Sequence, residues 1–436
     1  MNKSIFFEGD PRDASAVAAR VAGVETVVYL PLVQRPRRTE DFDRATRGMY
    51  VLATEAAKAG VKHIVLCSTL DFFSRIPQNW HLAPNWRPRP SPLLEQLCPY
   101  LMELSLQEVA RATGLHVTVL RLGAQVQARE TLEQVLVEPS VPWRVRHLGE
   151  CLARPASDDG KHWREILGPV APVASRPIQK VAVLGAGGPI GRVVADELKD
   201  HYTLRLADLH SLLQAKSQSP DAPLAQPLPL PHEEVFLDVR DFGSVLNACK
   251  GCDAIINLTV VRPDPVEAFL VNAMGAYNIG RAAAQLGIRR VVQTGPQLIT
   301  LHGENDFTYD FTYDFHLACD SPTRPGRYLY GHSKFLGNEA LRVFAEWHDL
   351  EVPNVMFNGF AQPDAVSEHG GSAMMLSWQD AARAIQCALE VPSLPSPYEE
   401  FHCVADFPHG QCRTDKAEHL LGWKPQDKLE GLWRKS

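Results

Sequence analysis

The apolar run Val181–Leu184 ends at Gly185, and Gly188 and Gly191 follow at intervals of three. An amphipathic stretch comes next, then a second apolar run that closes on Asp208. No other segment restricts the fold as tightly. Gly185 permits a sharp turn at the end of a strand, Gly188 keeps the backbone open to close approach, and Gly191 lets the new helix lie against the sheet. FLDVRD (236–241) and CDAIINLTV (252–260) continue the pattern as third and fourth strands of a buried parallel sheet.

Strand, glycine turn, helix, strand and terminal acid in that order predict a dinucleotide site. The helix start at Pro189 and Ile190 offers unpaired N–H groups and a positive dipole end to a pyrophosphate. Asp208 lies 20 residues beyond Gly188, where a carboxylate accepts from the adenosine ribose hydroxyls and repels a 2′-phosphate. NAD is therefore expected over NADP, although Arg205 nearby leaves that preference open. Asp238 and Val239 stand where an adenine edge can be held, and Leu258 follows the fourth strand. A bare GxxGxxG also occurs in turns that bind nothing; the ordered context is what argues for the nucleotide.

Tyr330 and Lys334 lie four residues apart, on one face of a helix expected to run to about residue 348. A lysine cation beside a phenol lowers its pKa, and such a tyrosine can exchange a proton with a substrate hydroxyl or carbonyl while hydride moves to or from a nicotinamide. Lys334 is also expected to hold the nicotinamide ribose. YxxxK is common by chance, and a surface tyrosine and lysine on an amphipathic helix is the competing reading. Position after the fifth strand favours the catalytic one.

The Gly185/Gly188/Gly191 turn, Asp208, Asp238-Val239, the Asn272–Asn278 run NAMGAYN, Tyr330-Gly-His-Ser-Lys334 and the closing LLGWKPQD together resemble the extended short-chain dehydrogenase/reductase superfamily, in its NAD-dependent epimerase/dehydratase group. The resemblance covers residues 178–436. LRLADL, RPGRYLYGHSK, LSWQD and LLGWKPQD look most like uronate dehydrogenases, which oxidise the C1 hydroxyl of a hexuronate to a lactone with NAD. Two departures bear on chemistry. The resemblance implies a Ser/Thr that hydrogen-bonds the reacting oxygen where Pro296 stands, and proline cannot donate. Thr294, two residues earlier, is the candidate substitute, and Gln297 could orient a substrate. Phe357 stands where those enzymes carry an arginine for the uronate carboxylate, so the main anchor of an acidic sugar is missing.

Residues 1–126 read as a second, damaged version of 229–357. Asp10 and Asp13 match Asp238 and Asp241 at an offset of 228, GVETVVYL (23–30) matches GCDAIINL (251–258), and AGVKHIVLCST (59–69) matches LGIRRVVQTGP (286–296). This copy has no glycine turn and no second strand with a terminal acid. Tyr100 is expected opposite Tyr330, Leu104 opposite Lys334, and Thr69 opposite Pro296. The first half is therefore expected not to bind NAD and to serve in packing, in dimer-like stacking on its twin, or as a lid.

Composition excludes several classes. A net charge of −7 without long basic clusters argues against nucleic acid. No stretch reaches 18 apolar residues and the N-terminus does not read as a signal peptide, so a soluble cytoplasmic protein is expected. Nine scattered cysteines read as reduced thiols; Cys249/Cys252 and the His402, Cys403, His409, Cys412 group read as structural, and no metal is expected. VAPVASRP (170–177) suggests a linker, 217–234 a proline-rich surface loop, and DFTYDFTYDF (306–315) a tandem duplication that places Phe311 and Tyr313 either at the substrate mouth or on an inert surface.

The expected fold is thus α/β, with two tandem Rossmann-like doubly wound parallel sheets: an incomplete one in 1–177 and an intact one in 178–436 with a small C-terminal substrate region. The expected function is an NAD-dependent oxidoreductase or epimerase-type enzyme acting on a sugar, sugar acid or polyol, with Tyr330, Lys334 and Thr294 as its catalytic residues. The alternative is an NAD-binding sensor or scaffold that has lost turnover. The two halves are expected to pack on each other, with a homodimer as a further possibility.

Overall fold

The computed structural model describes residues 3–31, 39–76, 80–123, 129–149, 177–216, 222–296, 319, 323–366, 374–408, 410 and 412–432. Residues 170–176 of the proposed linker, the duplicated DFTYDF segment with Phe311 and Tyr313, Gln297 and His409 lie outside them. Two parallel sheets organise the chain, as expected for an α/β protein.

The first sheet contains β1 (Ser4–Phe7), β2 (Thr26–Tyr29), β3 (His63–Thr69), β4 (His116–Leu122) and β5 (Trp143–Leu148), in that spatial order. Its helices are α1 (Ala14–Val21), α2 (Thr39–Asp43), α3 (Met49–Lys58), α4 (Leu94–Thr113) and α5 (Arg129–Val137). The second sheet contains β6 (Lys180–Leu184), β7 (Thr203–Asp208), β8 (Glu233–Phe236), β9 (Ala254–Asn257), β10 (Arg290–Pro296) and β11 (Val352–Phe357). A two-stranded ribbon, β12 (Gly359–Ala361) with β13 (Met375–Ser377), precedes the last strand, β14 (Tyr398–His402). Between them run α6 (Pro189–Leu198), α7 (Phe242–Cys249), α8 (Pro265–Ala268), α9 (Gly275–Leu286), α10 (Leu329–His348) and α11 (Trp378–Glu390).

The second sheet has the order β14-β11-β10-β9-β6-β7-β8, with every adjacent pair parallel. Strand order therefore reverses between β6 and β9. In an open sheet of this kind the crevice for a ligand opens beyond the carboxyl ends of those two strands. The apolar runs of β6 and β9 form buried strands because helices cover both faces, leaving no solvated side to alternate toward.

The two sheets share local design. Asp13 caps α1 and Asp241 caps α7, each accepting from amides of the first turn. Single π-helical turns, Arg44–Gly48 and Phe269–Met274, join α2 to α3 and α8 to α9. Left-handed residues end the long helices, Gly114 after α4 and Asp349 after α10. These caps correct the expected alignment. Counted from them, Tyr100 is level with Phe335, Pro99 with Lys334 and Glu95 with Tyr330; strand register agrees, since Leu66 pairs with Val119 as Gln293 pairs with Asn354. Aligning Tyr100 with Tyr330 leaves out an insertion between β10 and β11 of the second half. β1 also differs from its sequence counterpart β8: it pairs directly with β2, in the place that β6 takes beside β9.

A single apolar core runs from β1 and α1 through α3 and α4 into α9 and α10. Its seam is reciprocal. Phe42 packs on Tyr277 at 5.0 Å between ring centroids, and Tyr50 packs on Phe269 at 5.3 Å. Phe42 precedes Phe269, and Tyr50 precedes Tyr277, by the same 227 positions. Each residue meets the other's counterpart, as across a two-fold axis. No helix among the described residues is long and apolar enough to cross a membrane.

Candidate active site

A cavity of about 930 Å³ opens at the β6/β9 crossover, lined by Gly185, Gly187 and Gly188, by Asp208, by Asp238 and Val239, and by Leu258 through Val261. The glycines are required by space. Gly185 has φ +83°, and a Cβ there would lie 2.8 Å from the Leu258 carbonyl carbon. A Cβ on Gly191 would run into the Ala186 carbonyl, so the helix can approach only without one. Gly188 is the N-cap of α6 and Pro189 its first residue. The first intrahelical bond is donated by Arg192 to the Gly188 carbonyl, so the N–H groups of Ile190 and Gly191 have no acceptor within the helix.

Asp208 ends β7 and accepts from the Gly187 N–H at 2.8 Å, which ties the acid to the glycine turn. Gly187 is the one member of this turn that the GxxGxxG spacing did not single out. Its signal was the adjacent pair Gly187-Gly188. Arg205 is engaged elsewhere: it pairs with Glu233 at 2.7 Å and donates to the carbonyls of Ala248 and Lys250. Asp238 lines the groove, but its carboxylate is held by Arg240 at 2.7 Å, and Arg240 in turn reaches Glu267. That guanidinium holds the Asp238 carboxyl below the usual range.

Leu258 and Val260 also wall a second cavity of about 320 Å³, lined by Ile190, Arg262, Thr294, Pro296, Tyr328, Tyr330, Lys334, Phe357, Asn358 and Phe360. The expected catalytic residues thus meet in one space, directly beside the glycine-lined groove. Their electrostatics differ from expectation. Lys334 Nζ is buried and donates to the Thr259 carbonyl at 2.8 Å and to the Thr294 carbonyl at 3.4 Å. Burial, aided by the Arg262 charge, pushes it down to about 7. The Tyr330 phenol is raised above its ordinary value by burial, and the cation that opposes this is Arg262, 5.2 Å from the ring centroid. A lowering of the phenol by Lys334 is therefore not found. Thr294 donates its hydroxyl proton to the Asn257 carbonyl at 2.8 Å, leaving only lone pairs for a substrate.

Pro296 and Phe357 are register partners on β10 and β11, so both departures from the uronate dehydrogenase pattern face the same cavity. Phe357 meets Phe360, which stacks on Trp378 at 4.7 Å and 22°. At the place that the sequence reads as lacking an anchoring guanidinium, the wall is aromatic.

Known proteins are similar to this chain in sequence. Residues 181–383 match the pattern of the "NAD dependent epimerase/dehydratase family". Over 258 residues, 57% of this chain and 94% of the other, the sequence is 30% identical to an NAD-dependent glucose-6-phosphate dehydrogenase of Haloferax volcanii. The chain belongs to the NAD-dependent epimerase/dehydratase family. An L-arabinose 1-dehydrogenase (NAD(P)(+)) of the same organism is 27% identical across 57% of this chain and 96% of its own length. Among solved structures, a glucuronic acid dehydrogenase from Chromohalobacter salexigens is similar at 26% identity, covering 58% of this chain and 86% of that one, with a TM-score of 0.48.

In this epimerase/dehydratase-family chain, the NAMGAYN run braces the two loops that shape the groove. Asn272 bonds both backbone groups of Val261 and donates to Ser333 Oγ at 2.9 Å, coupling the loop after β9 to α10. Asn278 donates to the carbonyls of Val239 and Arg240. The C-terminal motifs clasp each other: the buried Asp380 carboxylate of LSWQD accepts from the N–H groups of Gln426 and Asp427 in WKPQD. Cys249 and Cys252 are buried thiols held above their usual range by burial. Among the described residues no three His, Cys, Asp or Glu side chains converge on a metal-sized site.

Proposed function

We propose that this chain is an NAD-dependent oxidoreductase that interconverts a hydroxyl and a carbonyl on a sugar, sugar acid or polyol. One observation carries the reading: the glycine-lined groove and the Tyr330 cavity share the walls Leu258 and Val260, so a dinucleotide laid along the first ends at the second. The residues present fit NAD. Gly185, Gly187 and Gly188 line the groove without side chains, and Asp208 presents a carboxylate toward the ribose end. With Arg205 held by Glu233, no arginine on β7 is left to welcome a 2′-phosphate, which supports NAD.

Bound NAD supplies the hydride acceptor; the remaining work falls to the chain. Tyr330 takes the hydroxyl proton as the carbinol carbon is oxidised, and returns it to the carbonyl oxygen in the reverse direction. Its raised pKa keeps the phenol protonated at neutral pH, ready to donate to a carbonyl; to take a proton in the oxidative direction it must first be ionised, a state that the Arg262 cation favours. Lys334 fixes the loops after β9 and β10 through Thr259 and Thr294 and stands where a nicotinamide ribose would lie. Thr294 contributes acceptor lone pairs. The aromatic wall of Phe357 and Phe360 favours the apolar face of a sugar ring.

We infer further that the first half is a related copy without a nucleotide site. Asp10, Arg12 and Asp13 repeat the Asp238, Arg240 and Asp241 arrangement down to the Asp–Arg ion pair, yet β1, which takes the place of β6, runs into Glu8-Gly9-Asp10 rather than a glycine turn. Its reciprocal seam with the second half resembles the contact between two copies of one chain.

The test is absorbance at 340 nm with NAD and a panel of sugars, uronates, sugar phosphates and polyols. At least one should give a rate that Tyr330→Phe cuts about 100-fold or more. NAD binding without turnover on any of them would favour a sensor, the reading that Pro296 supports.

A further inference from the structure

The turn that delivers Tyr328 and Tyr330 to the cavity is held largely from the other half of the chain. Gly326, at φ +55°, and Arg327 form this turn just before α10 begins. Tyr50 of α3 donates its hydroxyl to the Arg327 carbonyl at 2.7 Å. Glu108 of α4 accepts from the Gly326 N–H at 3.3 Å. The Gly326 carbonyl is bound by His332 Nδ1 at 2.8 Å, and His332 Nε2 meets Ser105 of α4 at 2.9 Å. A carbonyl can only accept, so Nδ1 carries the proton and Nε2 accepts from the Ser105 hydroxyl. His332 is fully buried, and the Tyr50 ring lies against it at 4.8 Å between centroids. The Gly326 carbonyl thereby sets the tautomer of a histidine that lies between Tyr330 and Lys334 in the YGHSK run, and the Ser105 hydroxyl supplies the donor that its Nε2 then needs.

We propose that the amino-terminal half is a built-in positioning unit for the catalytic tyrosine, acting through Tyr50, Ser105 and Glu108 on the 325–328 turn. The proposal builds on the assignment of Tyr330 and adds what sets its place. None of the three residues lines either active-site cavity, so they are positioning residues rather than catalytic ones. Without Ser105, His332 Nε2 has no donor; the ring can then turn or change tautomer, releasing the Gly326 carbonyl. Without the Tyr50 hydroxyl, the Arg327 carbonyl loses its donor beside the same ring. Both Tyr328 and Tyr330, 5.9 Å apart edge to face, follow this turn directly.

The experiment uses the full-length chain with Ser105→Ala and Tyr50→Phe, each removing one hydroxyl, and two readouts. Hydrogen–deuterium exchange should be about tenfold faster for peptides covering 324–334 in both variants, with exchange around the glycine turn at 181–191 unchanged. With the substrate identified by the 340 nm assay, kcat should fall about tenfold while the KM for NAD stays the same. Unchanged exchange at 324–334 in both variants overturns the proposal, as does a uniform rise along the chain, which would signal general loosening. If exchange rises locally but wild-type protein turns over no substrate, the positioning role stands and the enzymatic reading fails.

Discussion

Gly185 shows how far a single residue can be read. Its positive φ and the 2.8 Å approach of a notional Cβ to Leu258 predict that Gly185→Ala destabilises the turn by about 1 kcal/mol or more. The same change should weaken NAD binding at least tenfold, measured by calorimetry. The turn, Asp208 and the Tyr330/Lys334 spacing were legible because each depends on neighbours a few residues away. Partners distant in sequence were not. Nothing near Arg205 announces Glu233, and nothing near Lys334 announces two backbone carbonyls instead of a phenol. Arg262 carries no local signal, because its relation to Tyr330 exists only after β9 and α10 have been brought together. Pro296 yields a gain-of-function prediction. Pro296→Ser restores a hydroxyl donor at the cavity wall, and turnover of the identified substrate should rise about tenfold, read as kcat at saturating NAD.

At the scale of elements, strands and helices of the second half followed from glycine punctuation and buried apolar runs, while the β6/β9 crossover is seen in the strand order of the sheet. The π-helical turns in 44–48 and 269–274 did not, since they arise from packing of α2–α3 on α8–α9 and leave no mark in periodicity. Tyr100 sits away from the Tyr330 level for a related reason: register is set by helix caps at Gly114 and Asp349, beyond the reach of a local match. Loop braces were likewise invisible as such. Asn278 holds the Val239 and Arg240 carbonyls from α9, so Asn278→Ala should raise the KM for NAD several-fold with little change in kcat. Steady-state kinetics at fixed substrate would check this.

The molecule as a whole behaves as one body in this account, because a single core crosses the seam between the sheets. Calorimetry should therefore record one cooperative unfolding transition rather than one per sheet. Acid should weaken it in a defined window. Burial lowers His63, His332 and His348 each to about 4, below the ordinary histidine value of 6.5. Between those values the unfolded chain binds protons that the folded chain refuses, so stability is lost as pH falls from about 6.5 toward 4. Fully buried His332 alone contributes up to about 1.4 kcal/mol per pH unit there. Melting temperatures at pH 7.0, 5.5 and 4.5 should fall in that order; His332→Gln, which keeps a donor and an acceptor, should flatten the slope. The most direct test of the central claim is calorimetric titration of the full chain with NAD. One molecule bound per chain, lost in Gly185→Val and retained in Tyr330→Phe, is the predicted result. No binding, or two equivalent sites per chain, would contradict it.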